Sequence, residues 1–71
     1  MVAQSVLFDR GLWTEHEARV WLCLHGFVQR KIHVTKHLLR FRQYDPSPYR
    51  EYRTRKTGYP GVSLIIEVAG F

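Results

Sequence analysis

The chain has 71 residues and a single cysteine, Cys23. One thiol can form no intrachain disulfide and no finger-type zinc site, and a reducing, intracellular setting fits. Long apolar runs are missing too, so no segment is expected to span a membrane. Met1-Val2-Ala3-Gln4-Ser5 lacks the basic region and apolar core of a signal peptide, and none is expected. The glycines Gly11, Gly26, Gly58 and Gly61 fall at turns and element ends and have no phosphate-loop spacing. Internal repeats, linkers and low-complexity tracts are absent. Acidic residues are few: six Asp and Glu stand against eleven Lys and Arg, for a net charge of +5.

What is present points to one small domain spanning residues 1–71, with an apolar share of 45% that argues against disorder. A domain of this size buries only about 60% of the surface its unfolded chain exposes, so its stability margin is thin. The charge is concentrated. Residues 28–58 hold nine of the eleven basic residues and two acids, Asp45 and Glu51. A basic middle on a small domain suits a polyanionic partner, DNA or RNA. The alternative is a solubilising surface.

The stretch Leu38-Leu39-Arg40-Phe41-Arg42-Gln43 organises the chain. Apolar residues alternate with arginines at a period of two, which places Leu39 and Phe41 on one face of a strand and Arg40 and Arg42 on the other. Asp45-Pro46-Ser47-Pro48 stops it, because proline donates nothing to a ladder. Glu51-Tyr52-Arg53-Thr54-Arg55-Lys56 then repeats the alternation, and the two runs read as neighbouring strands that gather their arginines on one surface.

Before them lies a strand at Gln4–Phe8 and a helix over about 14–25. Thr14-x-x-Glu17 has the form of a capping box, with Trp13 placed to staple onto Ala18 and Gly26 to end the helix. Ala18, Trp21, Leu22 and His25 make the core stripe. Val20, Cys23, Leu24 and Phe27 make a second apolar stripe. It either tucks partly under a wrapped sheet, with Phe27 turning inward, or serves self-association. Ile32-His33-Val34 is a short strand that joins the Leu38–Gln43 strand as a hairpin or as one bent strand. Val62, Leu64, Ile66 and Val68 form the core face of a central final strand. The expected fold is α+β: a single helix on a four- to five-stranded antiparallel sheet, in the order β-α-β-β-β-β. Ala18, Trp21 and Leu22 are expected to face Leu39, Phe41, Leu64 and Ile66.

The pieces Glu17-Ala18-x-x-Trp21-Leu22-x-x-His25-Gly26 and Arg40-Phe41-Arg42-Gln43 resemble a small module of tailed phages and large DNA viruses. The likeness extends through Phe8, Trp13-Thr14, Ile32-x-Val34-Thr35, Pro46 and Tyr52-Arg53-Thr54, and so covers nearly the whole chain. The module occurs alone or attached to virion-related proteins and has no settled activity. The resemblance implies a viral protein located in the infected cell's cytoplasm or nucleus or in the virion, with other viral proteins among its partners. This chain departs from the module in carrying Val20, Cys23 and Leu24 on the outer helix face, where polar residues are usual.

Catalysis is not expected. Cys23 and His16 are the sole nucleophile–base candidates, and a thiol among apolar residues is usually inert. No metal or cofactor is expected from His16, His25, His33 and His37, since the four-residue spacing of His33 and His37 suits a helix and not a strand. The candidate nucleic-acid residues are Arg40, Arg42, Arg53, Arg55 and Lys56 for phosphates, with Tyr44 and Tyr52, beside Tyr49 and Tyr59, for stacking on bases. Internal pairing of Arg40 or Arg42 with Asp45, Glu51 or Glu67 is the competing role. The second function class is a protein-interaction or virion-assembly module that pairs as a homodimer through Val20, Cys23 and Leu24.

Overall fold

The computed structural model describes residues 3–68, and of the stretch read as no leader peptide, Met1 and Val2 lie outside them. The chain runs β1 (Ala3–Asp9), α1 (Glu15–Leu24), β2 (Lys31–Val34), β3 (Leu38–Arg42), β4 (Glu51–Lys56) and β5 (Val62–Val68). The fold is α+β, and the strands form one antiparallel sheet in the order β2-β3-β1-β5-β4.

The helix starts where the chemistry of Thr14 requires. The Glu17 amide donates to Thr14 Oγ1 at 3.2 Å, and Glu17 Oε1 accepts from the Thr14 amide at 2.9 Å, so two amides without intrahelical partners are satisfied. The Thr14 amide first, and the Thr14 hydroxyl second, hold the Glu17 carboxyl below its ordinary pKa. At the other end Gly26 takes φ +76°, the left-handed conformation that ends the helix without a Cβ penalty.

α1 lays Ala18, Trp21 and Leu22 on one face of the sheet against a core of Val6, Phe8, Leu39, Phe41 and Val62. Phe8 sits at its centre, with edge contacts to Trp21 at 5.6 Å and Phe41 at 5.7 Å and a tilted one to Trp13 at 5.3 Å. Trp13 is tied further by its indole N–H, which donates to the Pro60 carbonyl at 2.7 Å. Phe27 turns inward after Gly26 and stacks on Trp21 at 5.8 Å. His25 is exposed and lies over the Trp21 ring at 4.0 Å, so it closes the rim of the core and is not buried in it. Leu64 packs partly buried against the core, and Ile66 is buried nearby.

One topological reading is overturned. The arginine runs of β3 and β4 are not neighbours: β1 and β5 lie between them. The chain leaves β3 at one side of the sheet and crosses beneath the ends of β1 and β5 to reach the far edge. Gln43 anchors that departure, its amide donating to the Gln4 carbonyl at 2.7 Å and its side chain bonding both the N–H and the carbonyl of Val28. β5 is interior, as its apolar character required, but the middle position belongs to β1. β2 and β3 form a hairpin and not one bent strand. Its turn is closed by the Thr35 amide on the Leu38 carbonyl at 2.9 Å and the Leu38 amide on Thr35 Oγ1 at 3.0 Å.

Candidate nucleic-acid interface

In an antiparallel pair, residues directly opposite each other share a face. Phe41 pairs Val6, Val6 pairs Leu64, and Leu64 pairs Arg55; Ile66 pairs Arg53. Arg53 and Arg55 therefore lie on the helix side of the sheet, on its exposed edge. Arg40 pairs Leu7, Leu7 pairs Ser63, and Ser63 pairs Lys56. Arg40, Arg42 and Lys56 thus lie on the opposite, bare side, with Lys56 three strand spacings, about 14 Å, from Arg40. The four arginines do not gather on one surface. The alternation within each run was legible; the strand order and the parity of the β4–β5 register, which decide the face, were not.

A different set comes together. On the bare face Lys31 stands directly opposite Arg42, and His33 directly opposite Arg40. Arg30 lines the same shallow depression as these four. Lys36 and His37 sit in the β2–β3 turn, where the Arg10 guanidinium donates to the Thr35 carbonyl at 2.7 Å. From Arg30 to Arg42 the chain carries five Lys and Arg, two histidines and no carboxylate. The sequence reading missed Lys31 and His33, although their alternation with Ile32 and Val34 follows the same period as β3.

The neutralisation of this corner is slight. Among the described residues its ion pairs are two, both to Asp45: 3.5 Å from Arg42 and 3.9 Å from Lys31. Exposed pairs at such distances contribute little. Arg40 Nε lies 3.4 Å from the hydroxyl oxygen of Ser5, a neutral partner. Ser5 in turn donates to Gln4 Oε1 at 2.6 Å, and both are buried beside an irregularity in the β1–β5 register. The middle of the bare face is floored by Ser5, Leu7, Ser63 and Ile65.

Tyr44 lines a depression together with Arg30, Lys31 and Arg42, and Tyr52 lies on the same bare face opposite Glu67. Tyr44 and Tyr52 are half-buried near the far end of β5, beside Glu67. The Tyr44 hydroxyl donates to Glu67 Oε1 at 3.1 Å, and Arg50 holds Glu67 Oε2 at 2.9 Å. Burial first, and the bond to Glu67 second, push the Tyr44 phenol up to about 12. The Tyr52 hydroxyl accepts the Ser47 amide at 2.8 Å. Both phenols serve internal hydrogen bonds, and the acid beside them opposes an anion at that end.

On the helix's outward side Val20, Cys23 and Leu24 are all exposed, Leu24 at 78%. Cys23 and His16 are seven residues apart, about 10 Å along the axis, beyond direct hydrogen-bond reach. Among the described residues no three His, Cys, Asp or Glu cluster as metal ligands, and no helix is long and apolar enough to cross a membrane.

No family model, curated protein or solved structure matches this chain.

Proposed function

We propose that this chain is a small viral basic protein that binds nucleic acid with little sequence preference, through the cationic corner of its bare sheet face. The carrying observation is the cross-strand opposition of Lys31 to Arg42, with Arg40 on the same face and, among the described residues, Asp45 as the one carboxylate paired with them. Like charges directly opposed on a sheet are unfavourable, and a phosphate between them relieves the cost. Phosphate contacts orient a protein on nucleic acid without reading its sequence. Lys31, Arg40 and Arg42, flanked by Arg30, are the contacts, with Lys56 reaching the same face from the far edge. Arg53 and Arg55 are not part of the set. Titration with DNA and with RNA at about 50 and about 200 mM salt tests the reading, because displaced counterions make phosphate binding fall steeply with salt. Each cation removed should lower the slope by about one. No binding at the lower salt overturns it.

The alternative is a virion-assembly or protein-interaction module that self-associates through Val20, Cys23 and Leu24. The exposure of all three supports it. Sedimentation at micromolar concentration should then show a dimer that Val20→Lys with Leu24→Lys converts to monomer; a monomer throughout removes the idea.

A further inference from the structure

We propose that β4 is a docking edge for an extended acidic segment of another protein, which adds to the sheet as one more strand. β4 ends the sheet: among the described residues it pairs β5 along one side and no strand along the other. Within the same residues, the backbone of 51–56 makes no hydrogen bond outside the β4–β5 ladder. In an antiparallel pair only alternate residues turn their N–H and C=O toward the neighbour, so the other half of these groups points outward. An edge of this kind is a template for a further strand.

The side chains on the edge select the occupant. Arg53, Thr54, Arg55 and Lys56 are exposed, and Glu51 is the one acid of the strand. Among the described residues Arg53, Arg55 and Lys56 enter no ion pair: Glu67 goes to Arg50, Asp45 to Arg42 and Lys31, and Glu15 to Arg19. Arg53 stands opposite Ile66 and Arg55 opposite Leu64, so the two share the helix side, about 7 Å apart along the strand. A strand laid beyond β4 places alternate side chains directly opposite them. Carboxylates at those positions complete two cross-strand pairs of opposite charge.

Other occupants fit less well. A phosphodiester chain answers the cations and the outward amides but brings no donors to the outward carbonyls, whereas a peptide supplies donors and acceptors in alternation. A second copy would set a strand of three cations and one acid against another, on chains of net charge +5. Cations on an edge keep such like-charged partners apart and leave an acidic one favoured. The opposite edge, β2, has four residues against six, and its Lys31 already reaches Asp45.

The test uses the full chain and a labelled peptide of about eight residues alternating glutamate and threonine, so that its carboxylates share one face when extended. The expected result is binding at low salt that weakens as salt rises, with slowed hydrogen exchange at alternate amides of β4. Arg53→Gln with Arg55→Gln should weaken it by about fivefold or more. The peptide N-methylated at its glutamates, and separately at its threonines, keeps its charge; one of the two forms has no donors toward β4 and should not bind. Binding of both forms, binding without protection in β4, unchanged affinity in the double variant, or no binding at low salt overturns the proposal. Protection of β4 that rises with protein concentration in the absence of peptide assigns the edge to a second copy and overturns it as well.

Discussion

Lys31 and Arg42 face each other directly across the β2–β3 ladder, on the side of the sheet that no helix covers. Two cations so placed repel, and Asp45, reaching Arg42 at 3.5 Å and Lys31 at 3.9 Å, offsets the repulsion only in part. Relief of that repulsion should show as a separation of stability from binding. Lys31→Glu replaces a like-charge pair by an opposite one and is expected to stabilise the domain by about 0.2–1 kcal/mol. It should weaken nucleic-acid binding at the same time. Thermal melts and a DNA titration on the same variant check both halves, and a lowered melting temperature would contradict the first.

Trp21 joins the helix to the core. It is buried between Phe8, Phe27 and His25, and its Nε1 is buried without a hydrogen-bond partner. Trp21→Ala is expected to cost about 3–5 kcal/mol, much of the stability of so small a domain. Trp21→Phe loses volume but also removes the unsatisfied N–H, so its cost should be far smaller. Urea unfolding of the two variants measures the difference.

The Tyr44 phenol, pushed up to about 12, gives an alkaline signature. Its folded value lies above the ordinary tyrosine value of about 10. Its contribution to stability is therefore whole below pH ~10 and is lost as pH rises through the folded value. Absorbance titration should show one of the four tyrosines ionising last, and Tyr44→Phe should remove that step.

The helix start gives the acid counterpart. Glu17 is held below its ordinary pKa by the Thr14 amide and hydroxyl. Its contribution is present above the ordinary glutamate range and is lost as pH falls through the lowered folded value. Thr14→Ala removes one side of the capping box and should cost about 1 kcal/mol at neutral pH. With the Thr14 hydroxyl gone, the acid limb of the stability profile should move toward higher pH. Circular dichroism across an acid titration follows it.

What was legible in the sequence was local. The capping box, the stripe of Ala18, Trp21 and Leu22, the ending at Gly26 and the period-two strands depend on neighbours within a few residues, and each appears where its chemistry placed it. The partition of the cations depends on contacts far apart in the chain. That β3 and β4 are separated by β1 and β5 follows from the crossing connection at 43–50, whose prolines signal a stop and give no destination. That Arg53 and Arg55 turn to the helix side follows from pairing Arg53 with Ile66 and Arg55 with Leu64. A shift of one residue in that register would have turned both to the bare face. Val20, Cys23 and Leu24 could be assigned outward from helical spacing alone.

The most direct test of the account is a pair of charge-matched double variants, Arg40→Glu with Arg42→Glu and Arg53→Glu with Arg55→Glu. Both change the net charge equally, so a difference between them reports placement and not total charge. Fluorescence anisotropy with a labelled DNA duplex in low salt is the measurement, after circular dichroism has established that both variants fold. The account predicts that the Arg40 and Arg42 variant loses binding and that the Arg53 and Arg55 variant keeps most of it. Equal losses, or a greater loss from Arg53 and Arg55, would contradict it.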